Sequence, residues 1–511
     1  MNSTLQDRFQ RLKERVLVKR PILDEILRKK GDKSLHDYSG DYIDVNLNPP
    51  ILHRQSELLE MMHEAAAERF GSVVADGVVA QLEKYYFVST ADHVGPIVHP
   101  FFLNSNLMIE LPFHTHNDPI LKYVVVLACA NVSVNNPHSR ALVFNTAQGE
   151  ELKQHRLSFL PSNSHSCSVY NMRAYMPEEV TKVRKRLHEM GRDEGVPKTT
   201  VERIESLIDE IYNTPDVLKA PSYREQMSKT NIRLWKKYFA QSNVRRPELV
   251  YLEQEDIVVR LITKYHLHQD TVINHILFDP KYEPYINNYF EGIFGSFSRQ
   301  HASGTYLFWA LPKGSKVNLQ LWRKGNYLVS KDETYKIELT PEAIGEAMRN
   351  RELIPSLLLN FITISFYYGL KCLGGFNQVN YLTLMKNAYI KMNVDLGNYR
   401  SIEVCSRAQT KEICDGMSLA FLGYDGGRSA LAYGLDLILY DRKESWDKIV
   451  SLSKHMTLGE AIDPLMPEIY KISYDQTEWE QDLIDLTEKD IMQLKGLDQK
   501  IEPCVEIGRH V

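Results

Sequence analysis

The densest concentration of residues able to do chemistry is STADHVGPIVHPFFLNSN, residues 89–106, which brings Asp92, His93, His99 and Asn104 close together. Imidazoles donate to phosphate or carboxylate oxygens and move protons near neutral pH, which suits nucleotide-dependent acyl or adenylyl chemistry. Gly95 permits close backbone approach, and Pro96 and Pro100 stiffen the path that separates the two histidines. In this reading His93 and His99 orient or protonate a ligand, Asp92 fixes an imidazole and Asn104 hydrogen-bonds substrate. The competing structural reading is that the histidines cap a turn or the following helix. Slightly downstream, FHTHND adds His114, His116 and Asp118. A metal-dependent hydrolase built on His93, His99, His114 and His116 is therefore an alternative, although no H-E-x-x-H or Asp-rich calcium loop accompanies it.

Two further segments carry glycines beside polar groups. Residues 353–391 contain a buried apolar run that reads as a helix ending at Gly374-Gly375, followed by an amphipathic stretch opening with Asn377, Gln378 and Asn380. The glycines let backbone N–H groups reach a ligand, and the amides supply donors and acceptors; a plain tight turn is the competing reading. Residues 423–436, GYDGGRSALAYGLD, read as a glycine-rich loop opening a helix, with Arg428 available to an anion. Among the cysteines, Cys167 has His165 two residues away but no evident base in contact.

The elements that must position these residues follow from periodicity. LQDRFQRLKERV and residues 56–70, on either side of a Pro49-Pro50 break, have helical spacing. Residues 84–89, KYYFVS, are aromatic and β-branched and run into the polar loop, so a strand ends where that loop begins. The continuous apolar run YVVVLACA, 123–130, suits a strand covered on both faces, which makes the strand, loop, helix and strand a parallel βαβ unit. Ligands bind at the carboxyl ends of such strands. A further strand is expected near 157–160, a charged helical hairpin over 177–212, mostly helix over 246–290, strands over 305–329 and a helix from Thr340-Pro341. The fold class is α/β: a parallel-sheet core with an N-terminal helical region (1–80), a first core part (81–175), a helical insertion (176–245), a second core part with a small β feature (246–392) and a C-terminal α/β or helical region (393–511).

The run IPSLLLNFITISFYYGLKCLGGFNQVNYLTLMKNAY resembles a segment of the cysteine-adding enzymes of bacillithiol synthesis, in which a proline-led helix leads to a Gly-Gly turn and an acidic-x-x-Tyr helix. YYFVSTADHVGPIVHPFFLNSNLM resembles the same family's Gly-Gln/His-Gln-Pro loop, and LTPEAIGEAMRN is similar as well. About a quarter of the chain carries the resemblance. It implies a Rossmann-like core of the kind shared with class I tRNA synthetases and nucleotidylyltransferases, a connective insertion, a helical dimerisation region and ATP or another nucleotide as cofactor. His93 would stand at the loop's Gln/His, Gly95-Pro96 at its turn and Gly374-Gly375 at the second turn. The chain departs from the family where Asn380 replaces an acidic residue, Asn360 stands near an expected arginine, and NVSVNN, 131–136, replaces an acidic and histidine-containing stretch.

Bulk properties narrow the partners. A net charge of -5 offers no global attraction for nucleic acid or anionic lipid. Six scattered cysteines without a C-x-x-C pair argue against a disulfide framework and fit the cytoplasm, and the N-terminus lacks a secretory h-region. The function expected is a ligase or transferase of biosynthesis that binds a nucleotide or small anion and joins an amine, of an amino acid or amino sugar, to an activated carbon. Besides the hydrolase, a third possibility is a binding or assembly protein that kept the fold without the chemistry.

Overall fold

The computed structural model describes residues 4–45, 54–136, 138, 140–425 and 427–508; the Pro49-Pro50 break lies outside them. At its centre is a five-stranded sheet of β1 (Phe87–Ser89), β2 (Tyr123–Ala128), β3 (Glu248–Glu253), β4 (Lys371–Gly375) and β5 (Ile413–Asp415). Every pairing is parallel, and the spatial order is β5-β4-β1-β2-β3. The chain first builds outward from β1 through β2 to β3, then crosses back to lay β4 and β5 on the other side of β1.

The unbroken apolar sequence of β2 has a direct cause. Val124, Val126 and Ala128 enter one hydrophobic core with Leu103, Leu107 and Leu111 of the helix α1 (Pro100–His116). Tyr123, Val125 and Leu127 enter a second core with Ile257, Val258 and Leu261 of α2 (Gln254–Leu261). Successive strand residues face opposite sides, so a strand covered twice cannot alternate with polar residues. The same division holds in β3, with Leu249 and Tyr251 on one face and Val250 and Leu252 on the other.

Two expectations for this region are corrected. β3 lies where mostly helix is expected; its sequence ELVYLE is short and flanked by acids, so periodicity does not separate it from the helix that follows immediately. The helix expected to run up to Gly374-Gly375 instead ends in a π-helical segment at Tyr367, and KCLGG becomes β4, pairing with β1 through Phe87–Lys371, Val88–Cys372 and Ser89–Leu373. Those two glycines thus close a strand, and α3 (Phe376–Asp395) starts at once.

The appendages follow their local signals more closely. Pro177–Asp193 and Lys198–Leu207 form the helical hairpin, and Thr340 caps Pro341–Arg349 by accepting from the Ala343 N–H. A separate antiparallel five-stranded sheet spans residues 308–355. The strand expected near 157–160 is instead Glu151–Leu157, paired with Leu142–Gln148. The glycine-rich 423–428 segment does not open a helix: it is the turn between the antiparallel strands Phe421–Tyr424 and Arg428–Leu431. Helix Leu5–Lys19, started by a Thr4/Asp7 capping box, buries Phe9, Leu12 and Val16 in the same core as Ile469 and Tyr470. No helix among the described residues is long and apolar enough to cross a membrane.

A buried ion pair ties α1 to the segment before β3. Glu110 is fully buried and receives Arg246 Nε at 2.8 Å and Nη2 at 2.5 Å, while the guanidinium lies 4.3 Å from the Trp235 ring centre. Burial alone would raise the Glu110 carboxyl; Arg246 and His114 outweigh it and hold the group below its ordinary range. Removing one member leaves an unanswered buried charge, so Glu110→Ala is expected to cost about 3–5 kcal/mol. The readout is the thermal unfolding midpoint, and an unchanged midpoint would show that Arg246 finds another partner.

Candidate functional site

The direction of chain crossing reverses between β1 and β4, and the crevice at such a switch point is where ligands enter open parallel sheets. Thr90, just past β1, donates its N–H (2.8 Å) and its Oγ1 hydroxyl (3.0 Å) to the Leu373 carbonyl of β4. Gln378, in the first turn of α3, donates Nε2 to Thr90 Oγ1 at 2.6 Å. This packing leaves no room for side chains on the two glycines. A Cβ on Gly374 would lie 2.1 Å from Gln378 Cδ, and one on Gly375 would lie 3.1 Å from Asp415 Oδ2. Gly375 is the N-cap of α3 without a side-chain cap, which leaves a 20-residue helix presenting its first-turn amides at the crevice. Asn377 and Asn380 follow, each with a buried Oδ1 that has no hydrogen-bond partner among the described residues.

The loop after β1 is fastened to the end of β2. Cys129 N–H donates to the Asp92 carbonyl at 2.8 Å, and Val94 N–H donates to the Cys129 carbonyl at 2.9 Å. The Asp92 carboxyl is completely buried and turned toward α1, where it accepts from Asn106 Nδ2 at 3.1 Å and Ser105 Oγ at 3.3 Å. It does not fix an imidazole, as its sequence position suggested; a buried carboxylate beside a helix takes the nearest donors, and those are on α1. His93 instead donates Nδ1–H to the Asn136 carbonyl at 2.9 Å, which leaves Nε2 of the neutral ring as an acceptor. Burial holds His93 down to about 4, helped by the charge of Arg140.

His99 takes the structural role. It is the N-cap of α1, its Nδ1 accepts from the Phe101 N–H at 3.3 Å, and its ring stacks on His138 at 3.6 Å and 7°. Burial, then His138 and Arg140, hold it down to about 3, so it too is neutral. Asn104 is not available to substrate. Its Nδ2 donates to the Pro100 carbonyl, and its Oδ1 accepts from the N–H groups of Leu419 and Ala420 at 2.8 and 2.9 Å, so it locks α1 to the approach of the Phe421 strand.

Two other expected site elements lie elsewhere. Arg428 is exposed on its hairpin and donates to the Glu150 carbonyl at 3.1 Å, so the nucleotide-binding role fails because its partner is a neighbouring hairpin. The proposed metal cluster is split by α1 itself. His99 precedes the first turn and His114 and His116 occupy the last, about 20 Å apart at 1.5 Å per residue. At that far end His114 pairs with Glu110 and His116 with the Tyr85 hydroxyl, while Asp118 engages Lys84 and Tyr85. No group of three or more metal-ligating side chains occurs among the described residues.

The crevice also contains residues that sequence reasoning missed. Arg140, only 5% exposed, lays its aliphatic stem against Gly95, where a Cβ would come within 2.2 Å of Arg140 Cδ. Its guanidinium sits 4.7 Å over the Phe102 ring and donates Nη2 to the Asn136 carbonyl at 2.7 Å. Glu255, at the start of α2, accepts from Ala130 N–H at 2.8 Å and from Cys129 Sγ at 3.3 Å, and burial pushes it up to about 7. The available signal was position: 131–140 is a polar loop leaving the carboxyl end of the second core strand, and Arg140 is the cation at its end. No family model matches the chain, and a search of curated proteins finds no match.

Burial pushes the Asp92 carboxyl up to about 7; the hydrogen bonds from Asn106 and Ser105 and the charge of Arg140 oppose this, while Asp415 adds to it. An unfolded Asp titrates near 4, so the folded state keeps a proton that the unfolded chain has released. Its contribution to stability is full at low pH and is lost as pH rises from about 4 through about 7. Asp92→Asn removes that titration and keeps the shape. Its thermal midpoint relative to wild type should become more favourable between about pH 5 and about pH 8; a constant difference would mean that Asp92 is ionised throughout.

Proposed function

We propose that the chain is a ligase-like or transferase enzyme of biosynthesis with a Rossmann-like core, which binds a nucleotide such as ATP, or another small anion, and joins an amine to an activated carbon. One observation carries the reading: the loop after β1 and the Gly374-Gly375 turn, separated by most of the sequence, meet at the switch point of a parallel sheet, beside the uncapped N-terminus of α3. The strand order β3-β2-β1-β4-β5 matches five of the six positions in the 3-2-1-4-5-6 order of dinucleotide-binding sheets and supports the Rossmann-like assignment.

Roles follow from protonation. His93, neutral and fixed through Nδ1, offers Nε2 as an acceptor that orients an N–H or O–H of substrate. At about 4 it is too weak a base to hold a proton at neutral pH; burial pushes Asp92 and Glu255 up to about 7, but both are held by donors of the protein itself, Asp92 by Asn106 and Ser105 and Glu255 by the Ala130 N–H. Gly374 and Gly375 let α3 start directly at the end of β4, and Asn377 and Asn380 at its start bring unsatisfied acceptors for polar groups of the ligand. The partner is a small molecule rather than nucleic acid or membrane, and six free cysteines suit a reducing cytoplasm. A homodimer is part of the same family-based reading.

The test is a thermal-shift screen of the full chain against ATP, amino acids and amino sugars, followed by mass spectrometry for a coupled product. A ligand at 100 times its dissociation constant should stabilise the fold by about 2.7 kcal/mol, and His93→Ala should weaken binding at least tenfold. Binding without any product would move the chain to a binding or assembly role. No response to any nucleotide or anion would overturn the reading.

A further inference from the structure

Buried cations among the described residues are answered in different ways: Lys371 donates to the Asp41 and Asp44 carbonyls, Arg20 donates Nε to Ser473 Oγ, and Arg323 lies 3.4 Å from Glu283. Arg246 has Glu110, and Arg224 and Arg351 share Glu253 at 2.8 and 2.7 Å. Arg140 is only 5% exposed; no carboxylate reaches it within ion-pair distance among the described residues, and its Nε and Nη1 have no hydrogen-bond partner there. Asp92 lies close enough for its charge to be felt, but its oxygens are turned to Asn106 and Ser105. Beside Arg140, His138 is neutral, with burial holding it down to about 4, and its buried Nε2 is also unpartnered. Leaving charged and polar groups unanswered in a buried site is unfavourable, and such groups are answered by ordered water, an ion or a ligand that supplies the missing acceptors.

The arrangement that keeps this cation available is specific. Gly95 removes the side chain that would displace the Arg140 stem, Phe102 supports the guanidinium face, and the Asn136 carbonyl holds Nη2 while simultaneously fixing His93. The His99–His138 stack fixes the second donor ring at the first turn of α1. Two unpartnered donors, Arg140 Nε and Nη1, and one unpartnered ring nitrogen, His138 Nε2, thus remain for an acceptor-rich anion, with His138 donating in the tautomer that carries its proton on Nε2. A phosphoryl group, with three peripheral oxygens and up to two negative charges, brings more acceptors and more charge to these groups than a carboxylate, which has two oxygens and a single charge.

We propose that Arg140, with His138 beside it, forms the seat for a phosphoryl oxyanion of the ligand in the switch-point crevice. The assignment rests on the reading of that crevice as the ligand site, and it names the chemistry the ligand must carry: a phosphate ester or anhydride, borne either by a nucleotide or by a phosphorylated substrate.

The experiment measures binding of pyrophosphate, inorganic phosphate, ATP and malonate to the full-length protein by calorimetry, with phosphorus NMR line broadening as a second readout. Wild type is compared with Arg140→Met, Arg140→Lys, His93→Ala and the surface control Arg428→Met, each checked by circular dichroism. Pyrophosphate should bind wild type and Arg428→Met alike, at least tenfold more weakly to Arg140→Met, and at intermediate strength to Arg140→Lys, which keeps the charge but loses the guanidinium fork. Unliganded Arg140→Met should be no less stable than wild type, since it removes an unanswered charge; marked destabilisation would make Arg140 a structural residue and overturn the seat. Equal pyrophosphate affinity in wild type and Arg140→Met would also overturn it. Malonate binding with the same Arg140 dependence and no phosphoryl binding would make the seat one for carboxylates and end the proposal as stated. ATP binding lost in His93→Ala but kept in Arg140→Met would leave the crevice reading standing without the seat. Arg140-dependent pyrophosphate binding with no response to ATP, amino acids or amino sugars would support the seat and sink the broader ligase reading. Among phosphoryl ligands, Arg140-dependent binding of ATP far tighter than that of pyrophosphate points to a nucleotide as the source, and the reverse to a phosphorylated substrate.

Discussion

Because both faces of the central sheet are buried, its strands can meet polar groups only at their two edges, and hydrogen-bonded parallel strands put all carboxyl ends on one of them. β1 sits between β2 and β4 and is paired to each, so whatever leaves β1 must turn out of the sheet at the point where neighbouring connections diverge. The positions of the other functional groups follow from that placement. Asp92 is carried under α1, His93 is drawn to the loop after β2, and α3 is aimed at the crevice because Gly374 and Gly375 allow no spacing between β4 and the helix.

The protein treats buried charge in two different ways at the two ends of α1. At the carboxyl end, Glu110 and Arg246 neutralise each other and are boxed in by Trp235, Phe239 and Trp446, a closed arrangement with nothing left to bind. At the amino end, carboxyls are raised toward neutrality, imidazoles are lowered to the uncharged form, and a guanidinium is left alone among them. The first pattern is that of a fastening. The second keeps the local field unbalanced, which is the condition under which a polar site pays attention to what enters it.

Much of this was legible in the sequence and some was not, for physical reasons. YVVVLACA announces a doubly covered strand because its composition is dictated by two cores, and the density of Pro, Gly, Asp and His after Ser89 announces a turn out of the sheet, although from Pro100 onward the same run is already α1. KCLGG and ELVYLE were hidden because a strand of five or six residues needs only its neighbours, here β1 and β2, to be stable; little of that information is local. Side-chain type located the crevice but misassigned its members. Asn104 has the chemistry of a substrate ligand and is consumed by two backbone amides, whereas Arg140 lies in a loop whose sequence shows a departure from a familiar pattern rather than a function. Arg428 fails for a related reason: a Gly-Gly-Arg sequence reads equally well as a helix entrance and as a hairpin turn, and only the pairing of the strands around it decides.

The contact between Thr90 and Leu373 joins positions 283 residues apart, and the helix that buries Phe9, Leu12 and Val16 waits for partners beyond residue 460. Long-range pairings of this kind close large loops before any contact rewards them, so the sheet centre and the N-terminal helices are among the last parts of a growing chain that can settle. During synthesis β1, β2 and α1 must persist with one flank of β1 unpaired from Ala128 until Lys371–Gly375 is made. An unpaired strand edge of this kind is a hazard of the folding chain that the finished sheet, with β1 paired on both sides, no longer presents.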